Sequence, residues 1–213
     1  MKRVIFYFDG FNFYNGLKDK SFKDNLWRSY YWIDLVKFCE QFYTEGDSEV
    51  SVKYYTARPN NREKASKQAA FLNANKLINN SRFKVTYGQY INKTIDCRAV
   101  CKEPFTTLEE KRTDVNIALN MLLDCVNDQV DTLVLVSADS DQVPTLEVIK
   151  SKYPNKKVKV YFPPMRNSYE LTSLCKPVVF LELHEEKFKR AFMPNELEKE
   201  GKKYTKPQTW KPL

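Results

Sequence analysis

Histidine is almost absent: His184 is the single one among 213 residues. One imidazole, far downstream of the motifs described below, disfavours histidine-dependent catalytic triads and histidine-ligated zinc. Long apolar runs are also missing. Lys2 and Arg3 are followed only by the run 4–8, too short for a secretory leader or a membrane span, and no later run reaches membrane length. Cys39, Cys97, Cys101, Cys125 and Cys175 are an odd set without the spacing of a small secreted framework. They read as reduced thiols, and a cytoplasmic location is expected. Cys97 and Cys101 form a C-x-x-x-C pair, but no second pair is evident to complete a four-ligand zinc site. No G-x-G-x-x-G follows the first apolar run and no Walker loop occurs, so nucleotide-cofactor readings fall away.

What is present is an ordinary globular mix, 42% hydrophobic and 29% charged, long enough to bury a core without staples. The formal net charge is +8. A basic balance favours polyanionic partners, because each phosphate contact releases a condensed counterion.

Along the chain, continuous apolar or β-branched runs predict strands over 4–8, 50–56, 83–87, 132–136 and 157–162, with a short last one over 178–181. Helical spacing predicts helices over 31–43, 61–79, 113–127 with Thr113 as N-cap, and 144–152 with Pro144 in the first turn. Residues 89–108 have no clear period and read as an excursion from the core. The alternation predicts an α/β fold, a doubly wound, mostly parallel sheet with helices on both faces. We expect one catalytic domain over 1–185. Residues 186–213 read as a basic C-terminal extension wrapped on the surface or loosely ordered, because the strand pattern ends there and 201–213 carries lysines without acids.

Ligands of a parallel sheet bind beyond the C-terminal strand ends, where strand order reverses. Asp9 follows the first strand, Asp139 and Asp141 follow the 132–136 strand, and Asp114 opens the helix leading into that strand. If those strands are neighbours, the four carboxylates share one end of the sheet. A hard divalent cation, Mg²⁺ or Mn²⁺, offsets their mutual repulsion and activates water toward a phosphodiester. Each acid also has a structural explanation. Asp139-Ser140-Asp141 fits an Asx turn capping the next helix, and Asp114 fits the favourable end of a helix dipole. Phe11 stands where a haloacid-dehalogenase-type phosphatase requires a second Asp.

Phe8-Asp9-Gly10-Phe11-Asn12-Phe13-Tyr14 resembles the D-G-x-N-x-Y opening of NYN domains, a branch of the PIN-like nucleases. The blocks from Glu110 to Ala118 and from Leu135 to Pro144 resemble that family's E-K-x-x-D-V and L-x-S-G-D-S-D-x-x-P blocks. The resemblance implies a doubly wound fold and a Mg²⁺- or Mn²⁺-dependent acidic site that cuts RNA. By match, Asp9, Asp114, Asp139 and Asp141 would hold metal and activate water. Asn12 would bond a carboxylate, a metal-bound water or the scissile phosphate. Ser137 would shape the turn and touch the phosphate. Two positions depart from the pattern: Asn120 replaces an Asp that many relatives carry, implying a weaker cation site, and Ala138 replaces the usual Gly, restricting positive φ.

Arg58 and Arg166 follow strands on the same rim and are candidate phosphate contacts, as is Lys111 beside the helix Asp; solvated loop cations are the competing explanation. Lys64 and Lys67 read as a solvated helix face. Phe13 and Tyr14 either stack on a splayed base or pack beneath their loop. The expectation is a ribonuclease, an endonuclease by preference, acting on single-stranded or loop RNA, with no membrane partner and with homodimerisation open. The alternative is a catalytically weak RNA-binding or regulatory module, which Asn120 favours and the retained acids oppose. A phosphatase or other phosphotransfer enzyme using the same metal is a weaker third reading.

Overall fold

The computed structural model describes residues 1–43, 48–96 and 104–211, so Cys97 and Cys101, and with them the question of zinc, lie outside the described residues. Its centre is a six-stranded sheet in the order β3-β2-β1-β6-β7-β8, built from β1 (Lys2–Asp9), β2 (Ser48–Thr56), β3 (Phe83–Tyr87), β6 (Thr132–Val136), β7 (Lys157–Phe162) and β8 (Val179–Phe180). All neighbouring pairs are parallel. The chain winds outward from β1 through β2 to β3, then returns to lay β6 against the other side of β1. The C-terminal ends of β1 and β6 therefore flank the point where strand order reverses.

Burial on both faces explains the continuous apolar strands. Val4, Phe6 and Phe8 point into one core, which is covered by α1 (Gly10–Lys23), α2 (Leu35–Glu40), α3 (Arg62–Asn79) and α7 (Glu185–Arg190). Ile5 and Tyr7 point into the other, covered by α4 (Thr113–Val126), α5 (Val143–Lys152) and α6 (Tyr169–Leu174). Beneath α4, the Asp124 carboxylate accepts hydrogen bonds from the Tyr7 hydroxyl at 2.6 Å and from Lys53 Nζ at 2.6 and 2.7 Å. This partly buried ion pair and the buried Tyr7 bond tie α4 to β1 and β2. Among the described residues no helix is long and apolar enough to cross a membrane.

Several elements depart from the sequence-based expectation. Helix α1 is not among the helices expected from the sequence. Two of its glycines, Gly10 and Gly16, are points of close approach. A Cβ on Gly10 would lie 2.5 Å from the Tyr54 ring and 2.6 Å from Tyr55 O, and one on Gly16 would lie 2.5 Å from Pro164 O. The helix predicted over 31–43 is a 3-10 stretch, Asn25–Tyr31, followed by α2, whose start is set by Asp34 accepting from the Val36 and Lys37 amides. The expected excursion after β3 is an antiparallel hairpin of β4 (Gln89–Asp96) and β5 (Pro104–Lys111).

The C-terminal segment is anchored rather than loose. Phe188, Ala191, Met193 and Trp210 are buried in the first core, and Trp32 Nε1 donates to Pro194 O at 2.8 Å. A hairpin, β9 (Glu196–Lys199) with β10 (Lys202–Thr205), turns through Glu200 and Gly201, both at positive φ. These anchors are too widely spaced in sequence to show a period.

Candidate metal centre

Asp9 ends β1 and caps α1. One carboxylate oxygen accepts the Asn12 amide at 2.9 Å, and the other accepts the Ser137 hydroxyl at 2.8 Å. Ser137 is fully buried just beyond β6, and its oxygen also accepts the Asp139 amide at 3.0 Å. Asn12 Oδ1 accepts the Ala138 amide at 3.3 Å. Thus Asn12 and Ser137 lace the β1–α1 junction to the turn after β6. Ser137 is wholly given to this positioning, whereas Asn12 is half-buried and uses only its carbonyl oxygen in it.

Asp139 caps a 3-10 turn, Ser140–Gln142, accepting the Asp141 amide at 3.0 Å. It is a cap and a site acid at once, because capping engages one of its two oxygens. Asp114 lies in the first turn of α4, with Gln142 Nε2 at 3.4 Å from its Oδ1. Ligand oxygens of Asp9, Asp114 and Asp139 all lie within 4.8 Å of one another. Asp141 is exposed and outside this trio, although its charge reaches Asp114.

Crowding and burial make full ionisation unfavourable. Desolvation pushes the Asp9 carboxyl up to about 7; the bonds from Asn12 and Ser137 pull it back, and Asp114 and Glu110 push it further. The Asp114 carboxyl is raised by burial, then by Asp139 and Asp141. Glu110 is raised by burial and by Asp114, with the Thr113 hydroxyl holding it down. A divalent cation among these oxygens offsets all three effects. Gln142, whose Nε2 faces Asp114, is itself buried, and its Oε1 has no hydrogen-bond donor. The donor set is oxygen throughout, which suits Mg²⁺ or Mn²⁺ rather than a soft metal.

Thr113 is not the N-cap of α4. Arg112 occupies that position at φ 75, and Thr113, the first helical residue, donates its hydroxyl to Glu110 at 2.5 Å instead. Ala138 is not among the residues at positive φ, so the missing glycine costs no strain. Asn120 donates its side-chain amide to Asn116 O at 2.9 Å.

The basic candidates separate. Arg58 is exposed and lies 4.8 Å over the Tyr87 ring. Arg166 is engaged by Asp19 on α1 at 2.5 Å. Lys111 is exposed at the end of β5, on the hairpin that carries Glu110. Lys67 pairs with Glu63 at 2.5 Å. Glu110 and Gln142 are neighbours of the site that the sequence reading does not anticipate. Glu110 is the Glu of the E-K-x-x-D-V block, a signal that could have marked it, whereas Gln142 falls at an unspecified position of the other block.

The NYN domain model matches residues 3–182. The chain belongs to the NYN domain family. Its sheet is the nuclease-like fold of that family, and the acidic trio occupies the sheet's switch point. This NYN domain is 27% identical to a 6-hydroxy-3-succinoylpyridine 3-monooxygenase of Pseudomonas putida, across 70% of this chain and 56% of the relative. It therefore spans little more than half of that relative's length. A solved structure, a protein of unknown function from Vibrio parahaemolyticus, is 24% identical with a TM-score of 0.55. The match covers 84% of this chain and 91% of that one, and it speaks to the fold alone.

Proposed function

We propose that this NYN domain is a Mg²⁺- or Mn²⁺-dependent ribonuclease, with Asp9, Asp114 and Asp139 as the cation's ligands. The observation that carries the reading is the convergence of these three oxygens within 4.8 Å at the switch point of the sheet. When bound, the cation would polarise the phosphodiester and lower the cost of generating a water-derived nucleophile. Ser137 and Asn12 hold the trio's geometry from below. Asp141, exposed beside the trio, is the acid left to accept the attacking water's proton. Arg58, Lys111 and the net charge of +8 favour the phosphate backbone of single-stranded RNA.

Cleavage of an end-labelled single-stranded RNA, with Mn²⁺, Mg²⁺ or EDTA, tests the reading. Cutting is expected with either metal, absent with EDTA, and lost in Asp139→Asn. Salt-sensitive binding without cutting would move the protein to the RNA-binding module instead.

A second reading, turnover of a small heteroaromatic acid, has the Pseudomonas putida relative in its favour. Consumption of 6-hydroxy-3-succinoylpyridine by the purified protein, with Asp139→Asn still active, would replace the first reading with this one.

Homodimerisation is supported by α4. Val115, Leu119, Leu123 and Val126 are all more than half exposed along one side of this helix, which carries no charge between Asp114 and Asp124. An uncharged stripe meets its own copy without the repulsion the rest of this basic surface would impose. Leu119→Lys is expected to convert a dimeric mass in light scattering to a monomeric one; a monomeric wild type refutes the interface.

A further inference from the structure

A cleft of about 430 Å³ opens beside the acidic trio, between α1, the end of β2 and α3. Its walls are aromatic. Tyr14 lies 5.3 Å from Tyr31, Tyr31 lies 5.5 Å from Trp210, and Phe71 bridges Trp210 at 6.5 Å to Tyr54 at 6.1 Å. Tyr90 closes the hairpin side. Trp210 comes from beyond the stretch the family model matches, so the C-terminal segment helps to build this cavity.

The cleft is joined to the metal centre. Gly10, which follows Asp9, lies in its lining, and Tyr54 Oη, also in the lining, donates to Gly10 O at 3.3 Å. Tyr90 Oη lies 3.5 Å from Glu110, whose charge reaches Asp9. Yet among the described residues no carboxylate lines the cleft, while Lys18, Lys64 and Lys67 do. A cation would find no ligand among them; a planar ring carrying an anion would find stacking walls and a basic rim. Amide side chains supply edge contacts. Gln68 Nε2 is engaged by Thr56 Oγ1 and Ala57 O, both at 3.0 Å, which leaves its carbonyl oxygen as an acceptor.

We propose that this cleft receives the unstacked base of the nucleotide adjoining the scissile phosphate. The proposal rests on the ribonuclease reading of the acidic site. It adds the substrate class: a single strand from which a base can be turned out, with Tyr14 as the stacking platform and Lys18 and Lys64 on its phosphate. A base held in duplex stacking could not enter.

Isothermal titration with adenosine 5′-monophosphate in EDTA tests the pocket apart from catalysis. Saturable binding is expected, with ribose 5-phosphate at least about tenfold weaker, and with Tyr14→Ala weakening the nucleotide by about tenfold, the scale of one stacked base. Tyr14 is 41% exposed, so its truncation leaves the core intact, and an unchanged melting temperature checks this. Equal binding of ribose 5-phosphate, no effect of Tyr14→Ala, or binding of nicotinate in place of the nucleotide would each overturn the base pocket. Nucleotide binding without RNA cutting would keep the pocket and discard the nuclease. Cutting without nucleotide binding would do the reverse.

Discussion

Asp9→Asn is expected to lower RNA cleavage by at least about a hundredfold while raising the melting temperature of the metal-free protein above that of the wild type at pH 8. Partners that only orient a metal's ligands are worth about 10- to 100-fold, so a direct ligand is worth at least the upper end. Asparagine can still accept the Asn12 amide and so keep the cap on α1. The stability change follows from burial. The Asp9 carboxyl is 5% exposed and is pushed up to about 7 from an ordinary value of 3.8. Between those values the folded state holds a proton that the unfolded state has lost. The wild type therefore loses stability as pH rises from about 4 through 7, and the asparagine variant has no proton to lose at this position. Mn²⁺ at pH 8 restores the wild type by binding only the folded state, and does so far less for the variant. Melting in EDTA at pH 5 and pH 8, then with Mn²⁺, gives the comparison. A variant that cuts like the wild type, or melts below it at pH 8 in EDTA, removes Asp9 from the site.

Asp124→Ala, at a position outside the site, should lower stability by about 3–5 kcal/mol. Asp124 is 7% exposed, and its removal leaves the Lys53 ammonium and the fully buried Tyr7 hydroxyl without their acceptor. For a chain of this size the loss is on the order of 10 °C in Tm. The penalty comes from orphaning charge, not from the worth of the pair. Lys53→Met combined with Asp124→Leu should therefore recover the part due to charge, while the unpaired Tyr7 hydroxyl keeps about 1–3 kcal/mol of the loss. Thermal or urea unfolding of the single and double variants decides this. A double variant as unstable as Asp124→Ala would mean that shape, not charge, governs the position. Because α4 carries Asp114 at its other end, the single variant should also bind metal less tightly.

The legible parts of the molecule are those whose cause is local. Strands such as 132–136 are apolar throughout because both faces are buried, and Asp9 and Asp139 declare themselves by following such strands. Asp114 is readable as the acid opening a helix. The rest depends on contacts distant in sequence. The need for glycine at 10 and 16 shows only when Tyr54 and Pro164 are seen against them. Arg166 looks like a free phosphate contact until Asp19 is found beside it. Ser137, expected to shape the turn and touch the phosphate, is buried between Asp9 and Asp139. Phe188 and Trp210 carry no periodic pattern, yet they close the first core and, in the case of Trp210, the aromatic cleft. Glu110 gains its significance only because the hairpin returns it to the mouth of the site, where its charge reaches Asp9.

Asp9, Asp114 and Asp139 are proposed to form one divalent-metal site. An anomalous difference map at the manganese edge, from crystals grown with Mn²⁺, tests it most directly. A single strong peak is expected within about 2–2.5 Å of an oxygen from each of the three carboxylates, absent from Asp139→Asn crystals grown the same way. Saturating Mn²⁺ with no density among these oxygens, or with a peak ligated elsewhere, would contradict it.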